Sequence, residues 1–155
     1  MARDNPITRR TAMKLTGAAA ATALVAGCSD DDDNGNGNGN GNGGFNMEAG
    51  ETIELNGLIG GWEGISPDEI AGEENPTLIL EDGEDYEIGW PEGDGNDHNI
   101  EIWDENDELV EDYQTDTTTD TEPDDQMLDI TATEEMAYYV CEPHDNAMRG
   151  EIQVE

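Results

Sequence analysis

From Cys28 to its C-terminus the chain carries 39 of its 40 carboxylates and a single cation, Arg149. Asp4 is the one acid that precedes Cys28. Charges in such numbers cannot be buried, so any ordered structure must separate a small apolar core from an almost wholly acidic surface. High net charge with only 5% aromatic residues is also the composition of a disordered chain. Pattern separates the two readings: apolar and polar residues alternate in several later segments, as a half-buried strand requires. The same charge limits the partners, because it repels the phosphates of nucleic acids and the heads of anionic lipids. It repels itself as well, and molar salt, with a screening length of ~3 Å, removes most of that penalty. The composition therefore points to a high-salt environment, and the carboxylates read as a solvated face, not a calcium site.

The beginning of the chain is opposite in character. Arg3, Arg9, Arg10 and Lys14 all stand ahead of Gly27. Arg9 and Arg10 precede a small apolar run from Gly17 to Gly27. A basic segment, a short apolar segment and small residues form an export signal, and the paired arginines resemble a twin-arginine signal. The run is shorter than the ~20 residues needed to span a bilayer. It ends Leu24-Val25-Ala26-Gly27-Cys28, which resembles a lipobox, in which the cysteine becomes the first mature residue and carries lipid on its sulfur. The plainer alternative makes Cys28 a small residue beside a cleavage site. Asp30 to Asp33 and an alternating Asn/Gly tract follow, a flexible coil with nothing to bury. The expected organisation is a signal segment at 1–27, a disordered tether at 28–44 and one folded domain at 45–155. The domain would hang from the outer face of the cell membrane by lipid on Cys28.

Within that domain, short runs rich in β-branched and aromatic residues lie between turn signals. The expected strands are Thr52–Leu55, Thr77–Leu80, Tyr86–Trp90, Asn99–Trp103, Leu109–Tyr113, Gln126–Ile130, Ala137–Cys141 and Glu151–Val154. Leu78/Leu80, Ile88/Trp90, Ile100/Ile102 and Ile152/Val154 would point inward. Seven or eight such strands at this spacing predict an all-β, Greek-key sandwich. Gly57 to Glu74 is expected to be a loop or an extra edge, and Ser66–Ala71 could form one helical turn capped by Ser66, with Pro67 in its first position.

The chemistry concentrates in few residues. The chain has two histidines and two cysteines, and beyond Cys28 these are His98, Cys141 and His144, with Met148 four residues after the last. One thiolate, two imidazoles and a thioether are the donors that select copper in a trigonal site with a weak axial methionine. Cys141 closes an apolar run, and the segment to Met148 is short enough to fold three side chains onto one ion. His98 comes from a separate loop and would join the two sheets. Each residue also has a plainer reading: a surface histidine, a small buried cysteine, a methionine filling the core. Structural zinc prefers four Cys/His donors where only three are available.

Cys141-Glu142-Pro143-His144, the nearby Met148 and the following Arg149-Gly150-Glu151-Ile152 resemble the C-terminal ligand loop of plastocyanin-type cupredoxins. They are similar to amicyanin and to the halocyanins of haloarchaea. Trp90 and Asp97-His98-Asn99-Ile100 resemble the family's N-terminal ligand motif. Three residues separate His144 from Met148, between the shorter amicyanin loop and the longer plastocyanin loop, and Asp97 stands where a proline often precedes the histidine. The resemblance implies one type 1 copper ion held by His98, Cys141, His144 and Met148, with Asn99 fixing the ligand loops. It implies that His144, with Pro143 and Ala147 beside it, is the port through which single electrons pass to and from redox proteins of a membrane respiratory chain. No histidine is left for a second copper centre, so the expectation is a carrier and not an enzyme. A copper-delivery or storage protein is the alternative.

Overall fold

The computed structural model describes residues 43–155. The expected signal, with Arg9 and Arg10, and the expected tether from Cys28 as far as residue 42 lie outside the described residues; Gly44, the last tether residue, is buried against Thr77 and Ile79 and so belongs to the domain. Ten strands follow one another: β1 (Phe45–Asn46), β2 (Thr52–Leu58), β3 (Gly61–Ser66), β4 (Leu78–Leu80), β5 (Asp85–Gly93), β6 (Glu101–Trp103), β7 (Leu109–Gln114), β8 (Met127–Thr131), β9 (Tyr138–Val140) and β10 (Arg149–Val154). They form a six-stranded sheet in the order β1-β4-β10-β9-β6-β7 and a four-stranded sheet in the order β3-β2-β5-β8. Both sheets are mixed, because β1 and β10 pair with β4 in parallel, as do β2 and β5.

Alternation puts the core between the sheets. Ile53, Leu55, Ile88 and Trp90 from one sheet join Leu78, Leu80, Ile102, Tyr139 and Ile152 from the other in a single cluster. Burying each such side chain stabilises the fold by ~1.5–3 kcal/mol, which the carboxylates on the outer faces do not oppose by desolvation.

All eight expected strands are present, with shifted ends. β5 runs past Pro91 to Gly93, although a proline ordinarily stops a strand. The ladder to β8 ends at Gly89, and a register shift in β2 resumes pairing at Glu92 and Gly93, so the missing Pro91 N–H breaks no ladder. β3 forms the edge of the smaller sheet, antiparallel to β2, where the sequence suggests a loop or an extra edge. The helical turn needs correction. It is a 3-10 turn at Asp68–Ile70 with Pro67 itself in the capping position. Ser66 is unavailable as a cap because it belongs to β3, opposite Glu54.

One glycine fixes how β10 lies on β9. A Cβ on Gly150 would stand 1.9 Å from Cζ and 2.1 Å from the hydroxyl oxygen of Tyr139. Tyr139 cannot retreat, since it is fully buried and its hydroxyl donates to the Pro76 carbonyl. Gly150→Ala should therefore destabilise the domain by about 3 kcal/mol, at the upper end of overpacking costs. Urea unfolding in molar salt measures it, and a loss under about 1 kcal/mol would mean the tyrosine has room to move.

Candidate metal centre

The C-terminal ligand loop begins where β9 stops. Cys141 follows Val140 directly, and Glu142–His144 forms a 3-10 turn with Pro143 near its start. His144 N–H donates to the Cys141 carbonyl at 3.0 Å, and Met148 N–H donates to the His144 carbonyl at 2.9 Å. The loop closes on itself as Cys141 N–H donates to the Met148 carbonyl at 3.0 Å. His98 arrives from the β5–β6 connection, where it makes a two-way backbone bridge with Thr118.

These elements bring three donors to one point. Cys141 Sγ lies 3.6 Å from His144 Nδ1 and 3.7 Å from His98 Nδ1, and the three donor atoms lie within 4.8 Å of one another. Two donors each ~2.1 Å from a shared trigonal ion, the length of a first-row metal–nitrogen bond, must be ~3.6 Å apart. The two spacings from the Cys141 sulfur meet that condition, and a soft sulfur with two imidazoles suits copper. Cys141 and His98 are fully buried, whereas His144 is half-buried. Met148, in the same loop, is also fully buried.

Burial pushes the Cys141 thiol up to about 11, opposed by the backbone N–H groups of Asn99 and His144. The carboxylates of Glu142 and Glu101 push in the same direction as burial. Without a metal the sulfur is therefore a neutral thiol at physiological pH, and a bound cation is what makes it a thiolate.

The surroundings hold the donors from several sides. Asn99, buried beside His98, accepts the Glu142 N–H on Oδ1 at 2.8 Å, so it ties one ligand loop to the other. Trp90 meets the His98 ring edge-on at 5.4 Å between centroids, and its indole N–H donates to the buried Gln126 at 2.9 Å. A Cβ on Gly57 would approach His98 Cδ2 to 3.2 Å, so the β2 backbone packs against the ring.

Two residues of this cradle are not legible as such in the sequence. Asn75 has left-handed backbone (φ 47°), accepts the Trp62 N–H at 2.9 Å and donates to the Ala147 carbonyl at 3.0 Å, strapping β3 to the ligand loop. Asp94, readable only as a turn residue between two glycines, bonds His98 Nε2 through Oδ1 at 2.7 Å. Burial alone would raise its carboxyl, but bonds from the Ile59 N–H, His98 and Asn96 hold it well below the usual carboxylate range. Asp97, adjacent to His98 in sequence, is exposed. The tryptophans are core and not surface groups: Trp62 and Trp90 are fully buried and Trp103 nearly so.

Among known proteins, the family described as copper binding proteins, plastocyanin/azurin family, matches residues 73–155. Similar solved structures include rusticyanin from Thiobacillus ferrooxidans, 19% identical over 71% of this chain and 80% of that one, with a TM-score of 0.46. Another is an oxidised mutant of amicyanin, 20% identical over 67% of this chain and 82% of that one, with a TM-score of 0.41. No curated protein matches the sequence. The matched segment covers more than half of the chain and contains His98, Cys141 and His144 positioned for a single copper ion, and so the chain belongs to the plastocyanin/azurin family of copper-binding proteins, a cupredoxin.

Proposed function

We propose that this cupredoxin is an exported blue copper protein that carries single electrons between redox proteins of a membrane respiratory chain. In this reading lipid on Cys28 tethers it to the outer face of the cell membrane, in a high-salt environment, as a protein of halocyanin character. The observation that carries the proposal is the unequal exposure of the two imidazoles: His98 is sealed and His144 is half-buried beside the exposed Pro143. A copper ion held by His98, Cys141 and His144, with Met148 as a weak axial partner, supplies a reversible one-electron couple.

The chain's own residues make such a couple usable. Asn99, Asn75 and the Cys141–Met148 backbone pair hold the ligand loop from separate directions, so its donors have little freedom to rearrange when charge changes. His144 offers the one ligand edge that a partner can approach. Ile59, 51% exposed, sits at the same end, because its backbone N–H donates to Asp94. Both histidines of the chain are occupied, leaving none for a further copper centre of the kind that supports catalysis. No helix among the described residues is long and apolar enough to cross a membrane. The anchor in this proposal is lipid on Cys28, with the tether behind it.

The test is to load the mature protein with copper in molar salt and record visible and electron paramagnetic spectra. An intense blue band, copper that resists chelators and rapid electron exchange support the carrier of electrons. A colourless protein that surrenders copper to chelators supports the delivery or storage alternative and overturns the proposal. Met148→Leu should keep the colour and raise the potential by about a tenfold change in the Cu(I)/Cu(II) affinity ratio, ~59 mV for one electron. An unchanged potential would remove Met148 from the coordination shell.

A further inference from the structure

We propose that Asp94 is a positioning residue for the copper ligand His98, holding Nδ1 toward Cys141 and placing a negative charge behind the ring that favours the oxidised ion. The inference rests on the copper reading above. Its basis is the His98 ring itself, which has one nitrogen, Nδ1, 3.7 Å from the Cys141 sulfur and the other, Nε2, 2.7 Å from Asp94 Oδ1. A ring held at both nitrogens has one usable tautomer, with the proton on Nε2 and the lone pair on Nδ1.

The carboxylate is itself built in. Asp94 Oδ2 accepts the Ile59 N–H at 2.8 Å, Oδ1 also accepts the Asn96 N–H at 3.1 Å, and the Asp94 N–H donates to the Gly57 carbonyl at 3.0 Å. Gly95, at φ +87°, makes the turn that brings Asn96 back onto the carboxylate. The Asp94 side chain is 24% exposed and His98 not at all, so the pair is only partly screened by water. Among the described residues no lysine or arginine competes for the charge. The only basic side chain beyond Lys14 is Arg149, and it pairs with Asp107. A carboxylate accepting from the distal N–H makes the imidazole a stronger donor, and a fixed anion near the ion stabilises the higher oxidation state.

Two measurements on Asp94 variants test this. Asp94→Asn keeps the shape and removes the charge. It should raise the potential by the equivalent of about a tenfold shift in the Cu(I)/Cu(II) affinity ratio, ~59 mV. Asp97→Asn removes an exposed charge next to His98 in sequence and serves as the control for net charge. A shift in Asp94→Asn no larger than in Asp97→Asn overturns the electrostatic part of the inference. Nitrogen-15 spectra of the metal-free protein, taken above neutral pH, read the positioning directly. Wild type should show His98 as the Nε2–H tautomer with a slowly exchanging proton, and Asp94→Ala should show a mixture of tautomers. A wild-type His98 lacking that protected proton, or an Asp94→Ala protein retaining the single tautomer, overturns the positioning role. If wild type takes up no copper, the proposed function fails while the nitrogen spectra still decide what Asp94 does.

Discussion

Cys141→Ala should abolish the intense visible band of the copper-loaded protein and lower its copper affinity more than ~100-fold, beyond the 10–100-fold typical of losing an outer-shell partner. The thiol is the point on which the other donors converge, 3.6 Å from His144 Nδ1 and 3.7 Å from His98 Nδ1. Removing it leaves two imidazoles that can still hold copper weakly, without the sulfur-to-copper charge transfer that colours the site. The fold should hardly notice. Cys141 is buried and packs as a small apolar group, so truncation to Ala removes one atom from the core at a cost of about 1 kcal/mol. Unfolding of the metal-free variant in urea and absorption of the copper-loaded variant therefore separate chemistry from packing. A variant that stays blue would place the colour on a different sulfur and remove Cys141 from the site.

Much of this centre is legible in the sequence, because donors for a soft metal are scarce in the chain. With two histidines and one cysteine beyond Cys28, His98, Cys141 and His144 have no rivals, and the short run from Cys141 to Met148 leaves the loop few shapes. Alternation likewise marks β10, where the buried Ile152 stands between Glu151 and Gln153. What sequence does not show is contact between distant segments. Asp94 is one of 40 carboxylates, and bonds to Gly57 and Ile59, more than 30 residues away in the chain, help to fix it beside His98. Asn75 is similarly anonymous until β3 and the ligand loop are seen on either side of it. β3 itself, with the sequence Gly-Trp-Glu-Gly-Ile-Ser, lacks strict alternation, and its pairing with β2 is what makes it a strand. The overrun of β5 through Pro91 depends on a register shift in its neighbour, which no local pattern encodes. Ser66 is a misleading cap for the 3-10 turn after β3 for the same reason: pairing with Glu54 claims it first.

Transfer from molar salt to about 0.01 M salt should unfold the metal-free domain or lower its melting temperature by tens of degrees, as the screening length grows from ~3 Å to ~30 Å. The structure shows where the repulsion lies. Glu87 stands directly opposite Asp129 across β5 and β8, and Glu63 faces Glu74 at a bridge beside β3. Like charges opposed across a ladder destabilise it, and two unit charges 4 Å apart cost about 1 kcal/mol even in water. A few tens of carboxylates repeat that cost at longer range, against a total stability of only ~5–15 kcal/mol. Relief from within is slight. The Arg149 guanidinium is already committed to Asp107 and to the Tyr138 ring, 4.2 Å below it. Thermal unfolding across a potassium chloride series measures the effect, and sucrose at low salt distinguishes screening from solvent exclusion, because it strengthens burial without screening charge. Glu87→Gln with Asp129→Asn should shift the curve so that less salt is needed. A melting temperature indifferent to salt over that range would show that the acidic surface is tolerated without screening and would remove the physical reason for assigning this protein to a saline environment.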